Sequence, residues 1–578
     1  PVPPQRDLYQ LAQRLRLKST EPIPRVVNPQ PVSYQAGHRQ EFWAVDMEKY
    51  TLFRMAATLR VVTPHAYFYI EDSASIPQDG LERAAAEFEQ HIYPTVTGYV
   101  GTEWRPGIDN DTPLTILNGR IPGVAGYFSA SDEYPRAVNP YSNEREMIYI
   151  NVSSLQPGTP TYSRVLAHEL THAATWRPDD KQETWFAEGL AELGARLTGY
   201  DASFPPAFTA APDTSLTVWE DEPSRAQAHY GAAYLFVRYL AQHYGGYSQL
   251  QTLLQEPADG TAGIDAFLKK LGYSSTFESV FKDWVVANYL DAPSGPYGYT
   301  EDNVRTSIST TVTTPSQTSG TVHQYAADYI ALPSGSTPID VSFSGNTTVN
   351  ILPTQTHSGR YMWWGNRGDS IDSALSREFD LSGLKQATLD FWTWYDIEEG
   401  WDYAYVEAST DGGQTWSVLP GQRTTTDNPV GNSFGAAYTG SSGGWQPESV
   451  DLTPYAGGKV WLRFEYITDE AVSRDGFAID DISIPELRFR DGAETDAGWM
   501  AQGFMRTDNQ LKQGFAVQLI APGADPPVRQ VALDANQQGR IHVAGLQRAV
   551  LVVAATTPST GQLAQYTVSI TPASSSGG

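Results

Sequence analysis

No cysteine occurs in the 578 residues. That excludes a disulfide framework and any thiolate metal site, so a metal held by this chain must sit on histidine and carboxylate. Cationic side chains are also scarce. The 39 Lys and Arg stand against 66 Asp and Glu, a net charge of −27, which argues against nucleic acid as a partner because a phosphate backbone is gripped by basic patches. No apolar run approaches the roughly 20 residues of a membrane span. The opening PVPPQRDLYQ lacks the apolar core of a signal peptide, so the chain reads as a mature or trimmed soluble protein. What is abundant is apolar and aromatic: 40% hydrophobic residues, with 15 Trp, 32 Tyr and 21 Phe, enough for about three to four packed units.

Leu8, Leu11, Leu15 and Leu17 recur at near-helical spacing ahead of a Pro-rich stretch. Residues 1–60 therefore read as an N-terminal arm, either a pro-segment remnant or an extension packed on the domain that follows. From Leu59 to Val152, strands such as HAYFYIED and REMIYINV surround a helix over GLERAAAEFEQHIYP, which implies a mixed sheet. From Thr161 to Asp291 helical periodicity dominates, with Gly199, Gly245 and Gly272 as C-terminal stops. Residues 61–295 are thus expected to form a sheet lobe leading into a helical lobe. After Pro293 the composition turns to Ser, Thr and Gly with period-two alternation, as in KVWLRFEYITD, where Val460, Leu462, Phe464 and Tyr466 alternate with Trp461, Arg463 and Glu465. A β-sandwich over 303–486 is expected, then a small Ig-like sandwich over 487–572 and a disordered tail over 573–578. The fold class is multidomain α+β.

The segment that points to chemistry is His168-Glu169-Leu170-Thr171-His172. Two histidines four apart on a helix share a face and can hold one ion, with Glu169 beside it. Zinc on neutral imidazoles keeps an open position for water, whose proton a neighbouring carboxylate can take. The rest of the helix is apolar, at Val165, Leu166 and Leu170, and Pro178 marks its end. The next helix, Trp185-Phe186-Ala187-Glu188-Gly189-Leu190-Ala191-Glu192, offers Glu188 as third zinc ligand. Glu192, one turn on, is either a carboxylate that orients an imidazole or a solvated charge. A donor to the tetrahedral oxyanion is also needed, and Tyr230 is the first candidate with His229 its rival. The edge near Gly126-Tyr127-Phe128-Ser129 is a candidate for pairing with an extended substrate.

HELTH followed by WFAEGLAE resembles the gluzincin zinc peptidases, the superfamily of thermolysin, and residues Leu59 to Asp291 look most like the hyicolysin-type group, where Thr171 stands in place of the usual Gln. The resemblance implies a thermolysin-like catalytic domain with one catalytic zinc. DFWTWYDIEEGWDYAYVEASTDGGQTW at 390–416 and GFAIDDISI at 476–484 resemble the C-terminal jelly roll of the immune inhibitor A peptidases, related to MAM modules. That resemblance implies a structural Ca²⁺ on oxygen ligands, for which Glu398, Asp402 and Asp481 are the candidates. The loop Asp109-Asn110-Asp111 reads as a turn.

The expected activity is that of a secreted, extracellular bacterial zinc endopeptidase, a monomer acting on protein, peptide or glycoprotein, with the β-domains stabilising it or docking it on a glycan or cell surface. The alternative is an adhesin or glycan-binding protein on a peptidase scaffold, drawing on aromatics such as Trp363, Trp364 and Trp401.

Overall fold

The computed structural model describes residues 2–177, 181–201, 204–219, 223–335, 337–544 and 548–573. The expected Pro178 helix stop and nearly all of the expected disordered tail lie outside them. Two compact units result. One comprises Pro1–Ala187, Ala191–Asp201 and Thr356–Asp508; the other comprises Glu188–Leu190, Ala202–Gln355 and Asn509–Gly578. Among the described residues no helix is long and apolar enough to cross a membrane.

The first unit opens with a mixed six-stranded sheet in the order Arg39–Asp46, Thr51–Val62, Ala66–Glu71, Leu114–Gly119, Met147–Asn151, Gly126–Phe128. The central pairs are parallel, while Gly126–Phe128 runs antiparallel at one edge. Central strands bury both faces, and Leu114–Gly119 and Met147–Asn151 are accordingly buried at every residue. The sheet begins at Arg39, so its edge strand Arg39–Asp46 lies inside the expected arm of residues 1–60. An edge strand that pairs on one side carries too little apolar signal to announce itself.

Residues 2 to about 20 pack on the β-sandwich of residues 356–508 and also reach the lobe that holds the mixed sheet, where the Tyr9 ring meets Tyr134 at 5.5 Å and Arg16 donates to the Val138 carbonyl. Leu11 and Leu15 are buried among Tyr403, Tyr405, Trp416 and Ile467, a burial that contributes about 1.5–3 kcal/mol per leucine. That sandwich stacks one sheet built around Thr388–Asp396 and Gly476–Ile484 on another built around Tyr403–Ser409, Lys459–Ile467 and Asp372–Asp380. Its core includes Leu375, Phe391, Leu462, Phe464, Phe477 and Ile479. Trp363 and Trp364 are buried too, which removes them as a glycan-binding surface.

In the second unit the helices Pro223–His243, Gly260–Lys270 and Phe277–Leu290 accompany another β-sandwich. Its four-stranded sheet runs Gln538–Val543, Ile339–Gly345, Ala564–Pro572, Ser316–Val322, and its five-stranded sheet sets Val550–Ala555 beside Ala327–Ala331. The tyrosine hydroxyl of Tyr329 donates to the Val285 carbonyl at 2.6 Å, tying helix to sandwich. Strands before residue 346 therefore complete a sheet whose other strands follow residue 514. The expected boundaries, one sandwich over 303–486 and a second over 487–572, are corrected accordingly: residues 356–508 are an insertion within a sandwich drawn from both of its flanks. Alternation along a strand says which face is buried but not which distant strand it pairs with.

Candidate metal centre

The helix Pro160–Trp176 starts at Thr159, whose hydroxyl accepts from the Tyr162 amide, with proline in the first turn. Tyr162 is buried and donates to Asn118 Oδ1 at 2.7 Å, fixing the helix to the strand Leu114–Gly119. His168 and His172 share one partly buried stripe of this helix. Their Nε2 atoms lie 3.2 Å apart with the rings at 72°. Two imidazole nitrogens bound to one tetrahedral zinc at about 2.0–2.1 Å sit about 3.3 Å apart, so this pair fits a shared ion. His168, Glu169 and His172 bring their ligand atoms within 4.8 Å of one another. Glu169 is only 5% exposed.

Behind His168 stands Glu192, with Oε1 at 3.1 Å from the imidazole Nδ1 and the side chain 1% exposed. Its other oxygen accepts from Arg164 at 2.5 Å. A carboxylate on Nδ1 fixes the ring and leaves the Nε2 lone pair to face the ion. Arg164 precedes His168 by one turn on the same face, a spacing the sequence contains but composition does not flag.

Glu192 belongs to the helix Thr184–Leu197. This helix meets the histidine helix at Gly194, where an added Cβ would strike the Thr171 hydroxyl and the Tyr99 hydroxyl. Glu188, half-buried, lies one turn before Glu192 on the same helix face. The helix N-terminus is capped from afar. Asp369 of the inserted sandwich accepts from the Thr184 amide at 2.8 Å and from its hydroxyl at 2.6 Å. Asp369 was not among the expected site residues, since its partner is remote in sequence.

The edge strand Gly126–Phe128 passes directly beside Glu169. A Cβ on Gly126 would come within 3.2 Å of Glu169 Cγ and 2.8 Å of Val165 Cγ1. Only glycine lets the strand run this close to the carboxylate. His229 is buried, with Nδ1 against the Ser215 carbonyl at 3.0 Å and its ring stacked on Trp219. Tyr230 is half-buried against Phe204 and Trp219.

A second carboxylate cluster occupies the inserted sandwich, and it corrects the expected calcium set. Glu398 and Asp402 meet Asp469, not Asp481. Asp481 instead faces His357 and Arg490. Asp469 follows the strand Lys459–Ile467, and its amide donates to Asp402 Oδ1 at 2.7 Å. Burial, then repulsion from Asp469 and Asp402, pushes Glu398 up to about 11. Burial, with Glu470 next, pushes Asp469 up to about 8, and burial with Asp469 raises Asp402 well above the carboxylate range. Three acids forced together this way are a donor set that suits a hard cation. By contrast, Asp109 Oδ1 accepts from the Asp111 amide at 3.0 Å, which is the turn expected there.

Residues 336–509 match the family described as immune inhibitor A-like, MAM domain. The chain is 32% identical over 151 residues to the pre-pro-metalloprotease PrtV of Vibrio cholerae serotype O1 (strain M66-2), covering 26% of this chain and 16% of that protein. It is 30% identical over 160 residues to immune inhibitor A of Bacillus thuringiensis subsp. alesti, covering 27% of this chain and 22% of that one. A shorter match, 26% over 98 residues, is to bacillopeptidase F of Bacillus subtilis (strain 168), covering 17% of this chain and 6% of that protein. The chain thus spans less than a quarter of the length of each of these relatives.

Proposed function

We propose that this protein is a secreted zinc-dependent endopeptidase of the gluzincin type, acting on polypeptides outside the cell. The observation that carries the reading is the convergence of the His168 and His172 Nε2 atoms, 3.2 Å apart, beside a buried Glu169 and under a sheet edge. The name of one relative, the pre-pro-metalloprotease PrtV, supports it.

His168, His172 and Glu188 would hold the zinc, and when bound it supplies a Lewis acid that lowers the pKa of a water toward about 7 and polarises the scissile carbonyl. Glu169 accepts the proton of the attacking water and passes it to the leaving amine. Its small exposure keeps bulk water from competing for that proton. Glu192, held by Arg164, keeps His168 in the tautomer that presents Nε2. The edge strand Gly126–Phe128 would accept the substrate backbone as an added strand, which aligns the scissile amide along Glu169. Tyr230 is the proposed donor to the oxyanion, since the His229 ring is held by Ser215 and Trp219. The Glu398, Asp402 and Asp469 set is the proposed Ca²⁺ site of the inserted sandwich.

The test is Glu169→Gln assayed on casein and on a peptide library. Zinc content is expected to stay at the wild-type level while cleavage falls by at least about 10³-fold, a loss of the size seen when a general base is removed from metal-assisted hydrolysis. Cleavage at the wild-type rate would refute the mechanism.

A further inference from the structure

A fourth carboxylate, Asp369, stands close to the Glu398, Asp402 and Asp469 set. The loop 368–370 is laced to the loop 468–470: the Thr468 hydroxyl donates to the Gly368 carbonyl at 2.8 Å, and the Ser370 amide donates to the Asp469 carbonyl at 2.5 Å. Burial comes first in raising Glu398, Asp402 and Asp469, and the charge of Asp369 adds to it in all three. The guanidinium groups nearby are engaged with other acids, Arg6 with Glu470 at 2.5 Å and Arg367 with Asp475 at 3.1 Å.

Two oxygens of this group, Asp402 Oδ2 and Asp369 Oδ1, are buried and have no hydrogen-bond partner among the described residues. Asp402 is 0% exposed, and its Oδ1 already accepts from the Asp469 amide. A buried carboxylate oxygen left this way costs free energy unless a cation or a donor reaches it. The remaining oxygen of Asp369 takes both the amide and the hydroxyl of Thr184, the first residue of the helix Thr184–Leu197. Glu188 and Glu192 follow Thr184 at intervals of one turn. One carboxylate thus stands between the acid cluster and the helix.

The strength of that cap depends on charge. An ionised carboxylate at a helix N-terminus is favoured by the macrodipole, and its hydrogen bonds are about twice as strong as those of a neutral acceptor. Repulsion among four neighbouring acids opposes the ionised state, and a divalent cation among them removes the opposition. Resting on the zinc and calcium readings given above, we propose that Asp369 is a positioning residue that couples the two metal sites. A cation on Glu398, Asp402 and Asp469 keeps Asp369 ionised against Thr184, which steadies the first turn of the helix that presents Glu188 to zinc. Calcium and zinc then bind cooperatively, each raising the affinity for the other by the same factor.

The test uses the full chain carrying Glu169→Gln, which prevents self-cleavage, freed of both metals beforehand. Zinc affinity is measured by competition with a zinc-selective chromophoric chelator, with and without saturating calcium, and calcium binding by titration calorimetry. Calcium should raise the zinc affinity about fivefold or more. In the zinc-free chain it should slow hydrogen exchange over residues 184–190 by about the same factor, with the strand Leu114–Gly119 unchanged. Asp369→Asn separates the coupling from a plain cap, because asparagine caps a helix about as well as aspartate but carries no charge. Its zinc affinity and its exchange should no longer respond to calcium. Asp469→Asn, which leaves Asp369 in place, should lose both responses too, and it decides the matter if the first variant fails to fold. The coupling is overturned if calcium binds and neither zinc affinity nor exchange moves, if Asp369→Asn responds to calcium as the parent chain does, or if no calcium binds. A chain in which calcium slows the exchange and zinc does not bind upholds the link from cation to helix and refutes the zinc assignment instead.

Discussion

Arg14 provides the sharpest test of how the arm is held. Its guanidinium donates to both oxygens of Glu465 at 2.7 Å and to Asp372 at 3.0 Å, with Glu407 at 3.7 Å. The acceptors are deep: Glu407 and Glu465 side chains are 0% and 1% exposed. Burial opposes the charge on Glu465, yet Arg14 and then Arg463 hold it down to about 2. Burial and then Glu465 raise Asp372 and Glu407 well above the carboxylate range. Arg14→Met keeps the aliphatic packing beside Leu11 and Leu15 and removes the cation, leaving Arg463 alone at 3.2 Å from Glu465. Breaking a buried ionic cluster by deleting one partner costs about 3–5 kcal/mol. Urea unfolding at pH 7, followed by tryptophan fluorescence, should show a loss of that size. The sign with pH follows from the depressed carboxyl. Glu465 adds stability in the wild type above its unfolded pKa of about 4.3, and that contribution fades as pH falls through about 2. The gap between wild type and Arg14→Met should therefore narrow below about pH 4. A loss under about 1 kcal/mol, or a gap that widens in acid, would refute the view that the arm neutralises a buried acidic cluster.

Asp369→Ala removes the remote cap on the helix Thr184–Leu197, and about 1 kcal/mol of helix stability should go with it. Hydrogen exchange at Thr184 to Ala187 should speed up while the strand Leu114–Gly119 is unchanged. Chelation by EGTA should lower the thermal midpoint of the inserted sandwich, and calcium should restore it. Asp469→Asn should abolish that response and Asp481→Asn should preserve it, because only the former joins Glu398 and Asp402.

The histidine pair was legible because its geometry is local: helical spacing alone puts residues four apart on one face, and the apolar remainder of the helix says which face is free. The same holds for Gly199 and Gly245, which take positive φ at helix ends as their placement implied. Local reasoning failed where burial comes from a distant segment. In Lys459–Ile467 the polar set facing away from Val460 and Leu462 reads as solvated, yet Glu465 is buried, because Arg14 and the leucines of the arm cover that face. Asp469 escaped for a related reason: it closes a three-acid cluster only through the turn at 398–402, whereas Asp481 looks equivalent in sequence and is turned toward His357 by a bulge. The split sandwich of the second unit lay beyond any local pattern, since Ile339–Gly345 finds both partners some 200 residues away.

The central claim is a single zinc held by two imidazoles and a carboxylate from the next helix. Metal analysis of the purified full chain, of His168→Ala and of Glu188→Ala tests it most directly. One zinc per chain is expected in the wild type, with metal lost from both variants. Full zinc occupancy in Glu188→Ala, or a wild-type chain that takes up none from zinc-containing buffer, would contradict it.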